Sequence, residues 1–371
     1  MKVLSVITSR ASYSRIKSVL QAFSDLGVDF AVACAASANE DRFGNVARLI
    51  EQDGFPIVSK ITSELEAKSG IGAVKTTGLG LLSIGDLINA ENPKAVITIA
   101  DRYETIATAV AASYQGCTCI HIQGGEITGN IDDKVRDAVT CLSDIHFPAT
   151  ESAAERVRVF AKHPEYVFNF GCPSVDLFVH APLINRAAVW DSVLRASVGG
   201  RVDQDRPYFV LMLHPETTSP AGPPAFLPKF LRHFSGNAEQ LIVFWPNSDP
   251  GSDEVAKTIR VFREECSEAP VRYVKNVPSD LFVNILRHSA GLIGNSSVGV
   301  RESGVLGIPV VDVGGRQSGR VQHPNVTRLP YSASAEQVIF ALHSTRNVSP
   351  SFLYGDGSAG RKIAEQIIRL L

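Results

Sequence analysis

The chain has 371 residues, 44% of them hydrophobic, enough for two α/β domains that each bury a core of their own. Lys and Arg number 36 against 38 Asp and Glu, so no global field draws nucleic acid or an anionic membrane, and an anionic ligand must be held by local groups. The apolar run at 1–8 is closed by Arg10 and is too short for a signal segment or a membrane span, so it reads as a first strand of a cytoplasmic protein.

Short β-rich apolar runs alternate with helical patterns, the signature of parallel sheets built from βαβ units. The first series falls at 3–8, 30–35, 95–100, 117–122 and 167–170, and a more irregular stretch after Pro173 leads to a second at 209–213, 241–245, 271–274, 291–294 and 309–313. This predicts an N-terminal Rossmann-like domain over 1–180, a second over 200–355 with a boundary near 175–205, and a closing helix over 356–371. Ile363, Ile367, Ile368 and Leu371 supply that helix with an apolar face. The six cysteines lack the paired spacing of a zinc site and read as small core residues in a reducing compartment.

Ligands of doubly wound sheets bind beyond the carboxyl ends of the strands, so the polar residues after each apolar run carry the chemistry. Thr8-Ser9-Arg10-Ala11-Ser12-Tyr13-Ser14-Arg15 sets two cations, Arg10 and Arg15, and hydroxyls including Ser14 after the first strand, where they suit phosphate or sugar oxygens; a Ser-capped solvated helix is the alternative. In Gly294-Asn295-Ser296-Ser297-Val298-Gly299-Val300-Arg301-Glu302, a small-residue turn entering a helix offers N–H groups and the Ser296 and Ser297 hydroxyls to a diphosphate. Glu302 on that helix can accept from both ribose hydroxyls.

His214, before Pro215, suits a phosphate donor or a general acid, and Asn247 and Asp249 follow the next strand in a proline-stiffened turn. Arg316 and Arg320 add forked cations suited to a diphosphate, although a solvated basic loop explains them nearly as well. The first half contributes Asp101, Gln123, Glu126, Asp132 and Asp133, mostly carboxylates suited to proton transfer at a sugar carbon and to stabilising a cationic transition state. Magnesium on the adjacent aspartates is the rival reading, weakened by the cations that already neutralise phosphate; the expectation is no metal.

The ordered motifs Ser-Arg-Ala-x-Tyr, Ala-Asp-Arg, His-Ile-x-Gly-Gly-Glu, Ile-Asp-Asp, His-Pro, Pro-Asn-x-Asp, Gly-Asn-Ser-Ser-x-Gly-Val-Arg-Glu and Arg-Gln-x-Gly-Arg run from Ser9 to Arg320. Together they resemble the hydrolysing UDP-N-acetylglucosamine 2-epimerases. The resemblance implies a GT-B arrangement of two Rossmann-like domains with a cleft between them, a UDP-sugar substrate, no cofactor, and a homo-oligomer, dimer or tetramer. It assigns nucleotide contacts to Arg10, His214, Asn247, Asp249, Ser296, Ser297, Glu302 and the 316–320 loop. Catalysis falls to Asp101, Asp132 and Asp133, with Glu126 nearby. The implied reaction removes the C2 proton, expels UDP by anti elimination and adds water to the glycal.

Ser12, Gln123 and Ala38 stand where that family commonly has Asp, Glu and His, so the sugar side of the site loses charge. Gln123 cannot act as a base. These substitutions resemble the subgroup acting on 4-acetamido-6-deoxy sugars for legionaminic-type acids, and UDP-N-acetylglucosamine is the alternative substrate. A glycosyltransferase, a non-hydrolysing epimerase and an inactive nucleotide-sugar sensor are the rival functions.

Overall fold

A computed structural model describes residues 2–371 apart from 42–43, 65–69, 100–101, 130, 217–218, 220, 237–238, 248–250 and 346–347. The chain divides into two compact units. The first gathers Met1–Ile127, Ile131–Leu177 and Tyr354–Leu371, and the second Thr128–Asn130 and Phe178–Leu353.

In the first unit six parallel strands, β1 Val3–Ile7, β2 Phe30–Cys34, β3 Ile57–Lys60, β4 Ala95–Ile99, β5 Thr118–Ile122 and β6 Ile145–Phe147, lie in the order β3-β2-β1-β4-β5-β6. β1 and β4 are buried throughout on both faces and apolar except for one buried hydroxyl each, Ser5 and Thr98, as a parallel sheet covered by helices requires. Alternate residues serve opposite layers. Val3 and Ile7 pack with Val19, Leu20 and Phe23 of the helix Lys17–Asp25 and with Ile363 and Ile367 of the terminal helix Ala359–Leu370. Leu4 and Val6 pack with Ile84 and Ile88 of the helix Gly70–Glu91 and with the alanines of the helix Thr105–Tyr114.

The second unit holds β7 Ser197–Gly199, β8 Tyr208–Met212, β9 Gln240–Phe244, β10 Val271–Val274, β11 Gly291–Gly294, β12 Val310–Val313 and β13 Val326–Leu329, ordered β13-β12-β11-β8-β9-β10-β7. β7 alone among these runs antiparallel, along β10. Leaving that edge aside, both sheets have the doubly wound order 3-2-1-4-5-6. Their strand order reverses between β1 and β4 in the first and between β8 and β11 in the second. The fold class expected from the sequence, two Rossmann-like α/β units, is the one observed.

Several local expectations are corrected. Residues 167–170 are no strand: Val167 makes one isolated bridge to His146, Phe168 stacks on Phe147 and Phe170 tilts against it, so this run packs partly buried against the core beside the sheet edge. Residues 178–199 are no irregular link, since the helix Arg186–Ala196 buries Trp190 and Val193 and leads into β7 within the second unit. β3, β6 and β13 escape the apolar-run criterion because the first and last are edge strands with no fully buried residue and β6 has only three residues. On the terminal helix Ile368 is 38% exposed, and Ala364 takes its expected place in the core. Cys141 is exposed rather than part of the core; all six cysteines are free thiols. The helix Gly70–Glu91 is long and apolar enough to cross a membrane by length and composition, a feature the sequence reading did not single out.

Candidate active site

The switch point of the second unit is built on a side-chain clamp. Fully buried Asn295, just past β11, accepts the His214 backbone N–H at 2.7 Å through Oδ1 and donates through Nδ2 to the His214 carbonyl at 2.8 Å, tying the ends of β8 and β11 together. The side chain thus continues the pairing of the two strands one residue beyond their last ladder bond, Asn295 N–H to the Met212 carbonyl. Gly294 completes the approach: it has φ +135°, and a Cβ at this position would run into the Met212 carbonyl.

His214 itself is buried, and its Nδ1 accepts the Asn247 backbone N–H at 3.2 Å, which assigns the ring proton to Nε2 and makes that nitrogen a donor. The Asn295 carbonyl accepts from Arg316 at 3.3 Å and from the Gln317 amide at 2.9 Å, and Gln317 in turn accepts from Arg320. Thus His214, Asn247, Arg316 and Arg320, chosen from three separate motifs, share one hydrogen-bonded network centred on Asn295.

Ser296 caps a helix of only four residues, Ser297–Val300, by accepting the Val298 N–H. The expected longer helix is absent here: Glu302 begins a separate 3-10 turn, Glu302–Leu306. One turn sums few peptide dipoles, so donors and cations rather than a macrodipole supply positive potential in this segment. Buried Arg301 donates to the Ser297 hydroxyl at 3.1 Å and lies 3.9 Å from the buried Glu302 carboxylate. Asp249 lies outside the described residues.

In the first unit the helix Arg10–Ser14 follows β1. Burial pushes the Arg10 pKa down from its ordinary value, the buried Arg15 closes the helix, and Ser14 donates back to the Ala11 carbonyl. Ser12, expected to reflect the sugar, serves the backbone instead: its hydroxyl accepts the N–H groups of Thr8 and Ser9 and donates to the Ser9 carbonyl. Ala38 is fully buried in the 3-10 turn Ala36–Asn39 after β2.

Gln123 follows β5 in the left-handed region, φ +69°, a conformation costly for a residue with a side chain and sustained here by its surroundings. Its N–H donates to the Phe147 carbonyl at the end of β6, and its side-chain amide donates to the Cys172 thiol. Asp132 and Asp133 open the helix Asp132–Leu142, where carboxylates complement the N-terminal dipole. The wholly buried Arg136, one turn on, pairs with Asp133 at 2.5 Å and donates to the Glu126 carbonyl, so one cation joins the Gly-Gly-Glu and Ile-Asp-Asp segments. Asp101 lies outside the described residues.

The sequence reading missed Asn295, Glu216, Tyr331, Gln317 and Arg136 as organising residues. Tyr331 donates to the buried Glu216 carboxylate at 2.6 Å and receives the Asn295 amide at 3.1 Å; burial and that carboxylate push its phenol well above the ordinary tyrosine range. Asn295 and Gln317 stand inside the Gly-Asn-Ser-Ser and Arg-Gln-x-Gly-Arg motifs, and Arg136 carried a signal in its i,i+3 spacing from Asp133; Glu216 and Tyr331 carried none.

The profile of the family described as UDP-N-acetylglucosamine 2-epimerase matches residues 27–368. Polysialic acid biosynthesis protein P7 of Escherichia coli is 31% identical over 90% of this chain and 84% of its own length. The UDP-N,N'-diacetylbacillosamine 2-epimerase (hydrolyzing) of Legionella pneumophila is 27% identical over 100% of this chain and 95% of its own. Among solved structures, UDP-GlcNAc 2-epimerase from Neisseria meningitidis bound to UDP-GlcNAc superposes with a TM-score of 0.82 at 16% identity, covering 100% of both chains. This chain belongs to the UDP-N-acetylglucosamine 2-epimerase family. Its membership makes it a sugar-nucleotide 2-epimerase.

Proposed function

We propose that the chain is the hydrolysing kind of 2-epimerase, converting a UDP-2-acetamido sugar into UDP and the free 2-epimeric sugar. A carboxylate takes the C2 proton, the C1–O bond breaks with its electron pair leaving on UDP, and a C1–C2 double bond remains. Water then adds its hydroxyl to C1 and a proton returns to C2 from the opposite face. As the diphosphate leaves, C1 gains cationic character, which acidifies the C2 proton and is stabilised by nearby carboxylates.

The observation that carries this reading is the His214–Asn295 network, in which an Nε2–H donor and the guanidinium groups of Arg316 and Arg320 are organised around one strand-order reversal. Such groups suit a departing diphosphate. Asn247, Asp249, Ser296, Ser297 and Glu302 complete the nucleotide contacts in this reading, joined by Arg10, Ser14 and Arg15. Asp101, Asp132 and Asp133 act on the sugar, with Glu126 beside them. Arg136 engages one Asp133 oxygen, and proton transfer falls to Asp101 or to one of the Asp132 and Asp133 pair. Relatives from Legionella and Campylobacter whose names include "hydrolyzing" support the release of free sugar.

For the sugar we propose UDP-2,4-diacetamido-2,4,6-trideoxyglucose. Gln123 offers an amide, in place of a carboxylate, to a 4-acetamido group, while Ser12, committed to the backbone, and Ala38, fully buried in the apolar core, contribute nothing to the choice. The second reading, UDP-N-acetylglucosamine giving N-acetylmannosamine, is favoured by the 23% identity to a Neisseria meningitidis protein named UDP-N-acetylglucosamine 2-epimerase. Incubation with both substrates in deuterated water tests all three statements. The expected products are UDP and a free manno sugar carrying deuterium at C2, formed at an unchanged rate with chelator present. Return of intact UDP-sugar would overturn hydrolysis, a protium-retaining product would overturn elimination, and a higher kcat/KM for UDP-N-acetylglucosamine would overturn the substrate.

A further inference from the structure

The loop that carries Arg316 and Arg320 is gripped by a residue that belongs to none of the sequence motifs. Arg328 stands on the edge strand β13, in register with Asp312 of β12. Its Nε donates to Asp312 Oδ2 at 3.0 Å, its Nη1 to the Ser318 carbonyl at 3.1 Å and its Nη2 to the Gln317 carbonyl at 2.7 Å. All three guanidinium nitrogens are thus engaged, one on a carboxylate and two on consecutive carbonyls of the loop.

An arginine whose only task is to pair with a carboxylate sets two parallel N–H groups on its two oxygens. Arg328 instead gives Asp312 a single bond and turns both Nη groups to the loop, and the buried Asp312 Oδ1 hydrogen-bonds to no described residue. Leaving a buried carboxylate oxygen unbonded is costly, and an apolar pair would join β12 to β13 at least as well as a buried ion pair. Burial accordingly pushes the Asp312 pKa up from its ordinary value, against the opposing pull of Arg328 and then Arg320. Strand pairing alone does not account for this division of the fork; the position of the loop does.

The two carbonyls lead directly to the cations. That of Gln317 also accepts the Arg320 backbone N–H at 3.1 Å, and the Gln317 side chain links Arg320 to the Asn295 carbonyl. At the start of the loop Gly315 donates to the Glu216 carboxylate at 3.3 Å. Arg316 and Arg320 therefore project from a short segment fixed near its first residue by Glu216 and in its middle by Arg328. We propose that Arg328, oriented by Asp312, is a positioning residue for the diphosphate: it fixes the backbone from which Arg316 and Arg320 reach the two phosphates. The inference rests on the nucleotide reading of this loop and gives Arg328 no contact with base, ribose or sugar.

Titration of the full chain with UDP and with uridine tests this. Arg328→Lys keeps a cation beside Asp312, so the chain stays folded, but a point charge without a planar fork cannot hold both carbonyls in place. Its Kd for UDP should rise about tenfold while its Kd for uridine stays within about twofold of native, because only the phosphate contacts depend on the loop. Asp312→Asn leaves both carbonyl bonds in place and loosens the fork, so the UDP Kd should rise about threefold, again without change for uridine. Combining the two should exceed Arg328→Lys alone by less than about twofold, since both act on one group. An unchanged UDP Kd in Arg328→Lys and Asp312→Asn, or equal rises for UDP and uridine, would overturn the proposal. A native chain that binds UDP no more tightly than uridine would instead overturn the diphosphate reading of the loop on which it rests.

Discussion

The two switch points share a topology and differ in how their polar groups are held. At β8 and β11 a neutral amide clamp, Asn295 on His214, sets the backbone, and groups from three segments converge on it: the Asn247 backbone N–H, the adjacent Arg316 and Gln317 side chains, and the Tyr331 phenol. In the first unit, the edge described at β1, β2 and β5 has a serine capping box, a buried alanine and a glutamine in strained backbone; the nearby carboxylate helix is braced by one buried arginine. Doubly wound order therefore dictates where ligand-binding groups stand, and the loop sequences dictate what chemistry they offer. A network of donors around fixed backbone suits a charge that arrives with the substrate. Carboxylates beside a strained residue suit protons that move.

The sharpest way to break this contrast is Asp101→Asn. If the first unit performs proton transfer, turnover should fall by about 10³-fold while UDP affinity, measured by calorimetry, changes by less than about threefold. A comparable loss of both would make Asp101 a binding residue and erase the division of labour.

Acid should reach the first unit through His146, on β6 with its ring centroid 6.5 Å from that of His121, where burial pushes its pKa down to about 4 against the opposing pull of Asp144. The folded state holds this ring neutral, and the unfolded chain protonates it near pH 6.5. Its stabilising contribution is thus complete above pH 6.5 and is lost as pH falls from there to about 4, by about 3 kcal/mol. Urea unfolding of native protein and of His146→Phe between pH 7 and pH 4 measures this, and the variant should show the shallower decline. Parallel declines would place the acid-sensitive groups elsewhere.

Glu302→Ala sharpens the nucleotide side of the comparison. A buried carboxylate accepting two ribose hydroxyls contributes on the order of 2 kcal/mol, so the Kd for UDP should rise about thirtyfold while the chain stays folded. An unchanged Kd would reduce Glu302 to a partner of Arg301. Smallest is the expected effect of Asn295→Ala on ligand: UDP binding weakened about tenfold, with some loss of stability, as the His214 backbone loses two partners. Stability lost without any change in UDP affinity would show that the clamp holds the strands and leaves the site indifferent.

Much of the fold is legible in the amino-acid sequence because it depends on neighbours along the chain. Apolar runs of four or five residues at βαβ spacing specify two parallel sheets, and the polar residues behind those runs are carried to the sheet edge whatever the tertiary detail. The motif order leads to the family on the same short-range information. Period and polarity cannot tell residues 167–170, an apolar run packed beside the sheet, from a strand within it, nor reveal β13, whose Val326-Thr327-Arg328-Leu329 lacks a continuous apolar run. Nor can they show that Ser12 is consumed by a cap, because a hydroxyl serves backbone and ligand equally well. Only the tertiary structure joins Asn295 to His214 across 81 residues and Tyr331 to Glu216 across 115. Such partners are chosen by which strand ends meet when the sheet order reverses, and no local pattern encodes that.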